Sequence, residues 1–217
     1  MSTITPWGYT LTDDKRLKDL LNENEFNAFT AGKFYGDPRI AATIPSISAS
    51  IRNYCGWHIS PNLECIMVYN IRDLRDTFTG PDVLIQLPAT YVTEIDEIIL
   101  GATWNADAQK WEGDSVADYD LKTSGLLRVF DAGCYDRKAR VYIKYKAGLP
   151  DDQIGILKEL TANRIAHAVT SSYGVASETA GGVSVSYSAT WSNSTRAASL
   201  PDDSRDILEA YRVKGVF

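Results

Sequence analysis

The sequence predicts an α+β protein: a small helical bundle, an inserted antiparallel β subdomain and an extended C-terminal arm. Three observations predict it. Within Asp37 to Ile59, residues Ile40, Ile44, Ile47, Ile51 and Tyr54 recur at steps of four, three, four and three, which is one face of a helix. From Asn62 to Gly148 the chain turns to short period-two runs rich in Val, Ile, Tyr and Thr, the texture of strands. After Pro150-Asp151-Asp152, helical spacing returns through Ile154, Leu157, Thr161, Arg164, Ile165, Ala168 and Val169.

In chain order, Thr12 or Asp13 caps a first expected helix, DDKRLKDLLN, with Leu17, Leu20 and Leu21 on one face. Glu23 to Thr30 forms a short turn carrying Phe26 and Phe29. Asp37-Pro38 starts the next helix, because a carboxylate caps and Pro fits the first turn. Pro45 lacks an N–H and clashes with the preceding turn, so the spacing predicts a break there and a firm helix from Pro45 to Cys55. Gly56 ends it by accepting the left-handed conformation. The aromatic run Tyr54, Trp57, His58 then plugs the core.

In the β block, Val83, Ile85 and Leu87 alternate, and Glu94 to Leu100 is a second strand. Trp104 and Trp111 flank a turn-rich connection and predict a hairpin; Tyr119–Lys122 and Leu126–Phe130 predict another. Val141, Ile143 and Tyr145 alternate in the last strand. The block reads as an antiparallel sheet or small sandwich, holding 14 acidic and 10 basic residues. The following helix runs from Asp152 to Tyr173 and stops at Gly174, with Ala162, Ala166 and Ala168 small enough for a close neighbour. Ser177 to Gly182 reads as a hinge, and Val183, Val185 and Tyr187 as a half-buried strand. That strand pairs either with the chain's own β subdomain or with the sheet edge of another subunit. Asp202 or Asp203 caps a last helix that puts Ile207, Leu208 and Tyr211 on one side. The expected divisions are 1–61, 62–148, 149–174 and 175–217.

Composition excludes several function classes. A net charge of −6 argues against a general nucleic-acid-binding surface. No apolar run approaches the roughly 20 residues that span a bilayer. The start, MSTITPWGYTLTDD, has neither a basic nor an apolar region of a secretory signal. Cys55, Cys65 and Cys134 are odd in number and dispersed, so reduced thiols are expected, with no disulfide frame and no metal site. His58 reads as a core or cap residue, and His167 as a helix-face residue. No nucleophile–base motif, Walker A, HExxH or GxGxxG is present, so neither an enzyme nor a cofactor is expected. Glu94 with Asp96 reads as a solvated sheet face. Trp104 and Trp111 leave an alternative open, a module binding carbohydrate or a host surface through the β subdomain.

The run AATIPSISASIRNYCGWHISP resembles the helix of tailed-phage head–tail connector (adaptor) proteins, which ends in a Tyr-Cys-Gly-Trp-His-like cluster. VYIKYKAGLPDD followed by an Ala-rich helix is similar to their return into the bundle. SETAGGVSVSYS is similar to their arm, and LPDDSRDILEAYR to their last helix. The resemblance covers residues 10–61 and 141–217. It implies a virion structural protein, made in the host cytoplasm and placed at the head–tail interface. Its partners would be itself, in a ring of about 12 copies that closes through one repeated heterologous interface. Portal protein and a stopper or tail-completion protein would be the others, with DNA passing through the channel unread and no membrane involved. On this resemblance, Gly181, Gly182, Val183, Val185, Tyr187, Ile207, Leu208, Tyr211 and Arg212 carry the subunit and portal contacts.

Overall fold

A computed structural model describes residues 5–70, 78–79, 81–132, 139–170, 177–180, 183–186 and 202–213, with backbone alone for 78–79, 177–180, 183–186 and 202–203. The chain is α+β. It falls into two compact units: residues 1–18, 52–154 and 208–217 form one, residues 19–51 and 155–207 the other.

The helical unit starts differently from the expected first helix. Asp14–Arg16 makes only a single 3-10 turn. Leu20 and Leu21 are buried by an extended approach, in which the Leu20 N–H donates to Ser48 Oγ at 3.1 Å. A backbone donor used across the fold is lost to a local helix. Asn22 then caps α1 (Glu23–Phe29) through a reciprocal capping box with Glu25. Phe26 is buried and Phe29 exposed.

Helix α2 (Arg39–Cys55) runs without a break through Pro45, contrary to the expectation from sequence. Pro45 and Ala41 both face solvent, so the carbonyl freed by the missing N–H is open to water. The Asp37 carboxylate accepts from the Arg39 backbone N–H at 2.9 Å and is clasped by the Arg39 guanidinium, which holds its pKa down at about 2. Helix α3 (Gly155–Thr170) begins three residues later than expected, after a turn in which Gln153 N–H donates to Pro150 O. Leu21, Phe26, Ile40, Ile44, Ala162, Ile165 and Val169 form one buried cluster. The small Ala162 makes close helix packing possible there.

Among the described residues, the β unit contains two antiparallel sheets. One has the order β1 (Thr10–Leu11), β2 (Leu63–Asn70), β9 (Arg140–Ala147), β5 (Val92–Asn105), β6 (Lys110–Ser115). The other has the order β3 (Phe78–Thr79), β4 (Asp82–Gln86), β8 (Leu126–Val129), β7 (Tyr119–Leu121). Both expected hairpins form, with Trp104 directly opposite Trp111 and Leu121 opposite Leu127. Central β9 buries Val141, Ile143, Tyr145 and Ala147 on one face. Gly148 has φ +136, and a Cβ there would lie 2.2 Å from the Pro61 carbonyl, so only glycine fits.

Past α3, β10 (Ser177–Ala180) pairs antiparallel with β11 (Val183–Ser186). Among the described residues, this strand pairs not with the β subdomain, one of the two pairings expected for it, but with the segment just before it. The segment before it, read as a hinge, supplies that partner, because both alternate in a way a two-residue connection can fold together. Helix α4 (Asp202–Glu209) starts at Asp202, so Asp202 and Asp203 lie in its first turn and are not its caps.

Candidate assembly site

The end of α2 draws together hydrogen bonds from distant parts of the chain. Gly56 takes φ +78 and closes the helix, its N–H donating to Arg52 O at 2.8 Å. Of the expected plug, Trp57 and His58 turn inward and are fully buried, while Tyr54 is only half-buried. The pairing of β1 with β2 carries Tyr9 to His58. The Tyr9 hydroxyl donates to His58 Nδ1 at 2.7 Å and accepts the His58 backbone N–H at 3.0 Å. His58 Nε2 lies 2.9 Å from the Ala147 carbonyl. A carbonyl only accepts, so Nε2 carries a proton, and burial keeps the ring neutral with Nδ1 free to accept from Tyr9. Burial pushes its pKa down to about 4.

The buried Arg52 guanidinium donates to His58 O at 2.8 Å, to Ser60 O at 3.0 Å and to Lys18 O. It thus holds both carbonyls flanking Ile59, a β-branched residue at φ +66. That conformation costs about 1–3 kcal/mol and persists only where the surroundings impose it.

The chain's own C-terminal segment docks on this cluster. Trp57 Nε1 donates to Tyr211 O at 2.7 Å, and Val213 N–H donates to Cys55 O at 3.0 Å. The Cys55 thiol faces Leu208 O at 3.9 Å, and burial pushes its pKa up to about 12. Tyr54 donates to Glu209 at 3.3 Å, and Arg212 lies over the Tyr54 ring, 5.4 Å from its centroid, while pairing with Glu209 at 2.9 Å.

These contacts sort the residues expected to carry subunit contacts. Leu208, Tyr211 and Arg212 come together at the end of α2. Leu208 is fully buried and has no surface to offer a neighbour, because it fills its own chain's core. Ile207 is not on its side of α4 and is 41% exposed. Val183 and Val185 stand opposite Ala180 and Glu178 in the arm hairpin. Gly181, Gly182 and Tyr187 lie outside the described residues. Sequence reasoning missed Tyr9 and Arg52. No local signal marks Tyr9, which acts 49 residues away. Arg52, four residues after the buried Ser48, was a signal: a cation on a buried helical stripe needs acceptors.

The other candidates have structural partners. Glu94 and Asp96 both pair with Lys146, at 2.7 and 3.5 Å. Cys65 is buried, its pKa pushed up to about 12 by that burial; Cys134 lies outside the described residues. His167 is exposed on α3. Trp104 and Trp111 meet edge to face, at 64° and 5.6 Å, and so do not share the flat platform a sugar stacks on. Among the described residues, no group of three or more metal-ligating side chains occurs, and no helix is long and apolar enough to cross a membrane.

The family model described as "Head completion protein" matches residues 19–213, which include all of α2, the β block and the docked tail. The chain belongs to the head completion protein family. It is a structural protein of the phage head, and its place is in the virion. This agrees with the connector resemblance of the YCGWH segment. No curated protein matches the chain. A chain of the "Virion of native gene transfer agent (GTA) particle" is similar over 89% of this chain and 90% of that one, at 15% identity and a TM-score of 0.49.

Proposed function

We propose that this head completion protein is the connector that forms a ring under the portal and joins it to the stopper or tail, leaving a channel for the genome. The observation that carries the reading is the family match across residues 19–213. In this reading residues 1–61 and 149–174 supply the adaptor bundle, 62–148 a β insert, and 175–217 the arm.

Two features support it. The arm hairpin, among the described residues, is a two-stranded sheet of its own. Two isolated strands are marginal in water, so a neighbouring copy's sheet edge stabilises them by strand addition. Val183, Val185 and the exposed Ile207 make that contact, with Tyr211 and Arg212 holding the root of the arm. A net charge of −6 repels the phosphate backbone, which suits a lining past which DNA slides.

The test mixes purified protein with purified portal and counts subunits by mass photometry and negative-stain microscopy. Wild type closes rings on portal. Val185→Pro, which removes a ladder donor while leaving α4 intact, stays monomeric with an unchanged circular dichroism spectrum. Wild type that never oligomerises on portal contradicts the proposal.

A further inference from the structure

The hairpin of β5 and β6 outruns its sheet. β5 pairs with β9 only from Val92 to Leu100. Its pairing with β6 continues through Thr103, Trp104 and Asn105, after a register shift beyond Leu100. Among the described residues, the outer part of the hairpin therefore leaves the sheet as a two-stranded ribbon. A ribbon of two strands has little stability of its own.

An aromatic ladder fastens it. Trp104 lies 5.6 Å from Trp111, and Trp111 lies 5.7 Å from Tyr142 on β9. Tyr142 is buried among Ile99, Ala102 and Ile66. The outer rung is open: Trp104 is 51% exposed, and Val68, opposite Tyr142, is exposed too. Packing explains the inner rungs and leaves Trp104 without a reason to be apolar. An exposed tryptophan on a braced projection is the residue type and setting of an interface anchor.

We propose that this ribbon docks the protein to a different virion protein that presents a basic groove, with Trp104 as the anchor. Charge selects the occupant. Lys110 pairs with Glu112 at 3.3 Å, which leaves Asp107 at the tip and Asp114 opposite Leu100 as the ribbon's excess charge, while at its base Glu97 stands opposite Lys144. Nucleic acid is repelled by that sign. A second copy brings the same acidic ribbon on a chain of charge −6. A cationic protein surface complements it, steering the encounter while the tryptophan supplies the buried area. The inference rests on the virion placement and not on ring formation.

The test supplies the protein in trans to phage lacking its gene. A photo-crosslinking benzoylphenylalanine replaces Trp104, and purified heads are irradiated. The expected adduct is a Lys- or Arg-bearing peptide of another virion protein. Trp104→Ala is expected to enter heads folded, its thermal midpoint lowered by no more than about 4 °C, while infectious titre falls at least about tenfold. Adducts only to a second copy of this chain overturn the inference and leave the virion placement standing; so does the absence of any adduct in heads that contain the protein. Heads that exclude wild-type protein overturn both.

Discussion

Two aromatic groups in the β unit use the same residue types to opposite ends. At the end of α2, Trp57, His58 and Tyr9 are buried, and the Trp57 N–H, both His58 ring nitrogens and the Tyr9 hydroxyl each meet a named partner at 2.7–3.0 Å. On the ribbon, Trp104, Trp111 and Tyr142 step outward until the last ring is half in water. The first group is closed and fastens the chain's two ends to one helix. The second is open and leaves apolar area unspent. The contrast teaches how to separate packing from recognition: the closed group carries stability, and the open one carries contact with another protein. Substitutions in the first should unfold the chain, and substitutions in the second should leave it folded but without a partner.

The largest break is Trp57→Ala. Truncating a fully buried tryptophan costs about 3–5 kcal/mol, and here it also releases the Tyr211 carbonyl. Urea unfolding followed by circular dichroism should show that loss, with residues 208–213 becoming open to protease.

Acid attacks the same group next. The folded His58 pKa, about 4, lies below the unfolded value of 6.5, so the unfolded state binds the extra proton. Stability from His58 is therefore complete above pH 6.5 and drains as pH falls toward 4, on the order of 3 kcal/mol in all. For Glu25 and Glu64 burial pushes the pKa up, but the hydrogen-bonded ion pairs with Lys158 and Lys144 outweigh it and leave both lowered, so their stability is lost only below about 4.5. The slope between pH 6.5 and 4.5 thus belongs to His58, and His58→Gln should flatten it in urea titrations across that window.

A smaller effect sharpens the point. Tyr9→Phe keeps the ring and removes the hydroxyl, leaving the His58 N–H and Nδ1 without their shared partner. A loss of about 1–3 kcal/mol is expected in the same titration. The smallest is Trp104→Ala, where a half-exposed ring loses its edge-to-face contact with Trp111 at a cost of about 1 kcal/mol, readable as a thermal midpoint lowered by only a few degrees.

Much of this was legible in the sequence, and the failures share a cause. The α2 stripe, the Gly56 stop, the Trp104–Trp111 hairpin and the inward plug of Trp57 and His58 all rest on local spacing, which a sequence displays. The helix expected around Leu17 was lost because Leu20 spends its N–H on Ser48, 28 residues away. Pro45 breaks nothing because its face of the helix is wet, a property set by the whole fold. Leu208 was expected to make contacts on the family resemblance, but its side chain is fully buried and its carbonyl faces the Cys55 thiol, 153 residues earlier. Long-range bonds decided each of these cases, and periodicity does not record them.

Hydroxyl-radical footprinting of free protein against purified heads, read by mass spectrometry at single tryptophans, tests the contrast most directly. Trp57 should stay protected in both, and oxidation of Trp104 should fall severalfold in heads. Equal oxidation of Trp104 in the two samples would contradict the account.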